Sequence, residues 1–131
     1  MTENMLIPIF PLGVVLLPEQ RVPLHIFEKR YKLMIGECRT ANKVFGIVYF
    51  DGQNMSSAGC TARIQSVLKE YPDGRLDIVT RGERRFYLGR LDESRPYLQA
   101  SVAYFDDGPQ EPDAGMRQEA QRGLALLNQV A

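Results

Sequence analysis

The sequence has 131 residues, 44% of them hydrophobic and 24% charged, the profile of one globular domain rather than of a disordered chain. Sixteen Lys and Arg balance sixteen Asp and Glu, which argues against a general polyanion binder, because phosphate affinity comes mainly from excess basic charge. Cys38 and Cys60 lie far apart with no C-x-x-C, so two small buried apolar residues are expected, not a disulfide framework or a zinc site.

Residues 6–17 are largely apolar, but Pro8, Pro11 and Gly13 interrupt them and Glu3 precedes them. A signal peptide needs a basic start and an unbroken apolar run, and a membrane span needs a longer one. The cytoplasm is therefore the expected compartment, without a membrane partner. Residues 6–10 read as a short opening strand, turned by Pro11-Leu12-Gly13. Residues 14–17 form a second apolar run, closed by Pro18. Residues 22–26 read as a strand whose Pro23 suits an edge or entry position.

From Glu28 to about Thr40 the period changes. Phe27, Tyr31, Met34, Ile35 and Cys38 recur at three- or four-residue steps, the pattern of an amphipathic helix, with Asn42 as its stop. The unbroken apolar run 44–50 predicts a central strand covered on both faces. Residues 51–58, rich in Gly, Asn and Ser, read as a loop. Residues 59–71 alternate, with Cys60, Ala62 and Ile64 on one face and Thr61, Arg63 and Gln65 on the other. Pro72-Asp73-Gly74 marks a hairpin turn into a strand over 75–81, and Gly82 reads as another turn. Strands then follow over 85–91, around Phe86 and Leu88, and over 97–105, around Leu98, Ala100, Val102 and Tyr104.

Short strands with tight turns and one early helix predict a mainly β, α+β fold: a small closed or nearly closed barrel. Closure would remove the exposed sheet edges that invite aggregation. Residues 106–113 hold four acids, two prolines and no base, the composition of a linker. Asp113 is placed to cap a helix with Met116, Ala120, Leu124, Leu127 and Ala131 on one face. The expected division is a barrel over 1–107, an acidic linker over 108–113 and a C-terminal helix over 114–131. That helix either packs on the barrel, pairs with a second copy, or begins a helical region cut short here.

No catalytic constellation emerges. G-x-x-x-x-G-K-[ST], G-x-G-x-x-G and G-x-S-x-G are all absent. His25 is the only histidine, so no metal set and no cofactor are implied, and a hydrogen-bonded structural role fits its apolar strand better than general-base work. Arg81, Arg84 and Arg85 are the candidate anion or RNA contact. A solvated strand face of mixed charge accounts for them more simply, with Glu83 interspersed. The run Arg81-Gly82-Glu83-Arg84-Arg85-Phe86 begins like an RNA-recognition motif, but Glu83 replaces the ring that would stack a base.

Two segments, read together, resemble the start of the Lon-protease N-terminal domain family, nearest to its small stand-alone bacterial members. They are Ile7-Pro8-Ile9-Phe10-Pro11-Leu12 and Pro23-Leu24-His25-Ile26-Phe27-Glu28-x-Arg30-Tyr31. Gly59-Cys60-x-Ala62-x-Ile64, Pro72-Asp73-Gly74 and Gly82-x-x-Arg85-Phe86 follow in the family's order, so the likeness covers about residues 6 to 107. Lys29 departs from the pattern, since the stand-alone members often carry Pro there.

The resemblance implies a PUA-like β-barrel followed by a helical region, and recognition of polypeptide substrate without the ATPase or the Ser-Lys protease domain. What it carries over is a region: Leu24, His25, Ile26 and Phe27 as an apolar patch, with Glu28, Lys29, Arg30 and Tyr31 beside it. The expected partner is an unfolded or client polypeptide, with a protease or chaperone behind it, and the Pro-rich apolar segments as candidate groove lining. The alternatives are an RNA-binding PUA-like module, disfavoured by the neutral charge, and a scaffold that self-associates through the last helix.

Overall fold

The computed structural model describes residues 6–106, so the acidic linker and the C-terminal helix expected over 108–131 lie outside the described residues. The elements run β1 (Leu6–Leu12), β2 (Arg21–Ile26), α1 (Lys29–Ala41), β3 (Phe45–Phe50), β4 (Met55–Glu70), β5 (Leu76–Asp92) and β6 (Gln99–Phe105). The fold is α+β, with one sheet in the order β2-β5-β4-β3-β1-β6. A further β5–β6 pairing joins its ends into a nearly closed ring of five strands, with β2 added alongside the first half of β5. β1 and β3 pair in parallel, because β2 and α1 return the chain between them.

Two apolar cores lie on opposite faces of this sheet. One fills the ring: Ile7, Ile9, Val48, Phe86 and Ala100. The other lies outside the ring under α1, whose Tyr31, Met34, Ile35 and Cys38 pack on Phe10, Ile26, Phe45, Ile47, Cys60, Ala62 and Ile78. The period-2 geometry of β3 serves both, with Phe45 and Ile47 to the helix side and Val48 into the ring. The uninterrupted apolar run of β3 follows from this double coverage.

β5 changes sides partway along. Ala62 pairs with Gly82 but Cys60 pairs with Arg85, so three steps on β5 oppose two on β4. A one-residue bulge reverses which face every later side chain takes. Leu76 and Ile78 therefore face α1, whereas Phe86 and Leu88 face the ring interior. The bulge is held by Thr61, whose Oγ1 accepts from the Arg84 N–H at 3.0 Å and donates to the Arg84 carbonyl at 3.3 Å. Thr61 is buried on the face of β4 opposite Cys60 and Ala62.

Three local outcomes differ from the sequence pattern. Gly82 does not turn the chain; it lies inside β5, where a Cβ would stand 2.2 Å from the Leu17 carbonyl oxygen. Glu19 N–H donates to the Gly82 carbonyl and Gly82 N–H to the Gln20 carbonyl, docking the preceding loop over the strand. The presumed loop 51–58 is only a tight turn. Asp51 Oδ1 accepts from the Gln53 and Asn54 amides, Gly52 takes a left-handed φ of 101°, and β4 resumes at Met55. In the last strand, Tyr97 and Leu98 precede β6, which starts at Gln99, and Tyr97 packs into the helix-side core.

Phe86 is the largest side chain of the ring core and is fully buried. Space for it exists because two neighbours are glycine: a Cβ on Gly46 would lie 2.7 Å from the ring of Phe86, and one on Gly59 2.8 Å from it and 2.5 Å from the Ile47 carbonyl. Phe86→Ala should lower the unfolding free energy by about 3–5 kcal/mol. Gly59→Ala should cost at least about 1–3 kcal/mol despite adding one methyl, since a backbone carbonyl cannot move aside cheaply. Denaturant midpoints at unchanged slope measure both. An innocuous Gly59→Ala would contradict the close packing described.

Candidate functional site

At one end of the ring, four stretches distant in sequence enclose a groove of about 680 Å³. β1 supplies Phe10, Pro11 and Leu12, and the β2–α1 junction supplies Phe27, Glu28, Arg30 and Tyr31. β3 ends there in Phe50, and the β5–β6 connection contributes Glu93, Arg95, Pro96, Tyr97 and Leu98.

The groove exists because β6 is too short to cover β1. β6 pairs only with Leu6, Ile7 and Pro8, and beyond Ile9 the connection swings away. The last bond across is Ile9 N–H to the Leu98 carbonyl, so alternation turns Pro11 toward the same open edge. Proline has no N–H, and this edge therefore offers no amide donor at that position.

Aromatic rings form the floor and lips. Phe10 and Tyr31 stack with centroids 4.0 Å apart. Phe27 remains 59% exposed and Phe50 37% exposed, unusual for phenylalanine and free of the core beneath them. Burial raises the pKa of Tyr31 and of Tyr97, with Glu37 contributing further at Tyr97, so both phenols stay neutral.

The guanidinium groups at the groove are already committed. Arg30 donates from Nε to Glu28 Oε1 at 3.2 Å and lies over the Tyr31 ring. Arg95 pairs with Glu37 and lies over Tyr97, whose hydroxyl also donates to Glu37. The ionisable side chains that line the groove are Glu28, Arg30, Tyr31, Glu93, Arg95 and Tyr97. Both cysteines are buried thiols away from it, and burial, then Glu37, pushes Cys38 up to about 11.

Of the region indicated by sequence, Phe27, Glu28, Arg30 and Tyr31 line the groove, whereas Leu24, His25, Ile26 and Lys29 do not. Ile26 is buried and Leu24 packs against the helix-side core. His25 is exposed, its Nδ1 2.5 Å from Asp77 Oδ1, and it stacks beside Phe27. The candidate anion residues lie along β5, apart from the groove, each with a neighbour: Arg81 with Glu19, Arg84 with Asp106 and the Tyr104 ring, Arg85 over Phe105. Sequence reasoning passed over Phe50, Glu93 and Tyr97 as site residues. No periodic signal marks residues that meet only through ring closure, although Pro11 and Leu12 belong to the Pro-rich segment already singled out.

Asp77 also accepts the Tyr71 hydroxyl on its other oxygen, at 2.7 Å. The His25 bond first, and the Tyr71 bond second, hold its carboxyl below the usual range. A depressed native pKa adds stability above the unfolded value of about 4, and that stability disappears as pH falls through the native value. Asp77→Asn should therefore lose stability near neutrality and converge with the native chain once pH has fallen through the native Asp77 value. Thermal midpoints across this range test it; parallel curves throughout would remove Asp77 as the titrating group.

The sequence pattern of the ATP-dependent protease La (LON) substrate-binding domain matches residues 6–128. A Lon protease of Flavobacterium johnsoniae is 27% identical over 118 residues, covering 82% of this chain and 14% of that protein. A Lon protease of Parabacteroides distasonis is 30% identical over 110 residues, covering 77% and 13% respectively. The chain thus spans no more than 14% of the length of these relatives. Among solved structures, a Lon N-terminal domain protein from Xanthomonas campestris superposes with a TM-score of 0.71 at 27% identity, over 93% of this chain and 75% of that one. The N-terminal domain of a Mycobacterium avium complex Lon protease gives 0.64 at 19% identity, over 95% and 75%, and speaks to the fold alone.

Proposed function

The chain belongs to the Lon substrate-binding domain family, and from that premise we propose that it is a non-catalytic module that holds client polypeptide in the aromatic groove. The observation that carries this reading is the lining itself. Exposed Phe27 and Phe50 flank a floor of stacked Phe10 and Tyr31, and the nearby guanidinium groups are neutralised by Glu28 and Glu37. Rings supply large contact area at small entropic cost, and a groove of about 680 Å³ suits a few side chains at a time.

The 131 residues carry no ATPase loop, and the reading assigns them the holding of a client, not its unfolding or cleavage. A cytoplasmic protease or chaperone is the partner we propose. RNA is the weaker ligand, because Arg81 and Arg84 each lie beside a carboxylate and net charge is zero.

A labelled, permanently unfolded polypeptide rich in aromatic residues should bind saturably in an anisotropy titration. Phe27→Ala and Phe50→Ala should each weaken it about five- to tenfold, the range for an interface anchor worth a little over 1 kcal/mol. Both side chains are exposed, so thermal midpoints should change little. Raising salt from about 50 to about 200 mM should alter the affinity by less than about twofold, whereas a phosphate-driven ligand would lose orders of magnitude. Retention of labelled RNA at physiological salt, with no binding of the polypeptide, would overturn the proposal.

A further inference from the structure

We propose that the groove prefers client segments in which a basic residue adjoins the apolar or aromatic anchor, and that Glu93 reads that residue. The inference rests on the polypeptide reading of the same groove and adds a charge rule to it.

Its basis is the balance of charge at the lip. Glu28, Glu37 and Glu93 stand at or against the groove, and among the described residues the basic side chains that line it are Arg30 and Arg95. Each guanidinium is engaged twice, by a carboxylate and by the face of a tyrosine ring. Those contacts fix the planar groups and use their charge. Glu93 is different: it lines the groove, is exposed, and has no ion-pair or hydrogen-bond partner among the described residues.

An incoming carboxylate would meet Glu93 and would have to displace Glu28 or Glu37 to reach a guanidinium. An incoming ammonium or guanidinium finds Glu93 unopposed. A rim pair of this kind is worth about two- to fivefold in affinity. The rule therefore biases the choice of segment, while the rings still supply the main affinity.

Three peptides that differ at one position beside a central Phe, carrying Lys, Gln or Glu there, test the inference by anisotropy with the full chain. Affinity should fall in the order Lys, Gln, Glu, with about fivefold between the extremes. Raising salt to about 0.5 M should compress that spread, as the pair is exposed and screened. Glu93→Gln should bring the Lys and Gln peptides together, whereas Phe27→Ala should weaken all three alike. Equal affinities, or a Lys preference that survives Glu93→Gln, would overturn the charge rule and leave polypeptide binding standing. If none of the three bound, the polypeptide reading itself would fall, and the charge rule with it.

Discussion

The bulge between Gly82 and Arg85 is the joint on which this fold turns. β5 is seventeen residues long and serves two cores on opposite faces of one sheet. A strand of strict period 2 cannot do that; an extra residue must reverse its faces midway. The reversal puts Ile78 under α1 and Phe86 inside the ring. It also lets the second half of β5 pair with β6 and close the ring. Thr61 satisfies both backbone groups of Arg84 with one hydroxyl, and no buried side-chain polar atom among the described residues is left unpaired. A bulge held this way is a designed feature rather than a defect.

The groove is a consequence of that closure. β5 and β6 meet through a connection that passes the end of β1, and its Glu93, Arg95, Pro96, Tyr97 and Leu98 become one wall. The opposite wall is the start of α1, fixed by packing of Tyr31 on Phe10. Glu37, a helix residue, reaches across to Arg95 and to the Tyr97 hydroxyl, so it ties α1 to the far wall. The groove is thus held on both sides by elements that also build a core, which keeps its rings in place before any ligand arrives.

Much of the fold was legible because its signals are local. The helix over Lys29–Ala41 follows from apolar residues at helical spacing, and Asn42 ends it in a left-handed conformation as its residue type allows. The hairpin at Pro72-Asp73-Gly74 follows from turn chemistry, with Gly74 at φ 94°. What escaped is what depends on distant partners. Gly82 looks like a turn residue, yet it is glycine because the Leu17 carbonyl lies against it. Ser56, Ser57 and Ala58 look like loop, yet Asp51 closes the hairpin so early that they enter the strand. The groove shows the same division. Phe27, Glu28, Arg30 and Tyr31 sit together in a segment that family likeness picks out, but Phe50, Glu93 and Tyr97 join them only once the ring forms.

The open edge of β1 bears on how such a groove would recognise a chain. An exposed strand edge usually captures a peptide by adding it as another strand, with backbone hydrogen bonds supplying affinity regardless of sequence. Here Pro11 removes the amide donor at the position that faces the groove. The same substitution guards the edge against pairing with another copy. A segment held as proposed would then draw more on side-chain contacts, with rings for apolar anchors and Glu93 for charge. Side-chain contacts without a backbone ladder bind each segment more weakly and release it more readily. In the client-holding role proposed for this module, that kind of hold would suit transfer of a client better than a stable added strand would.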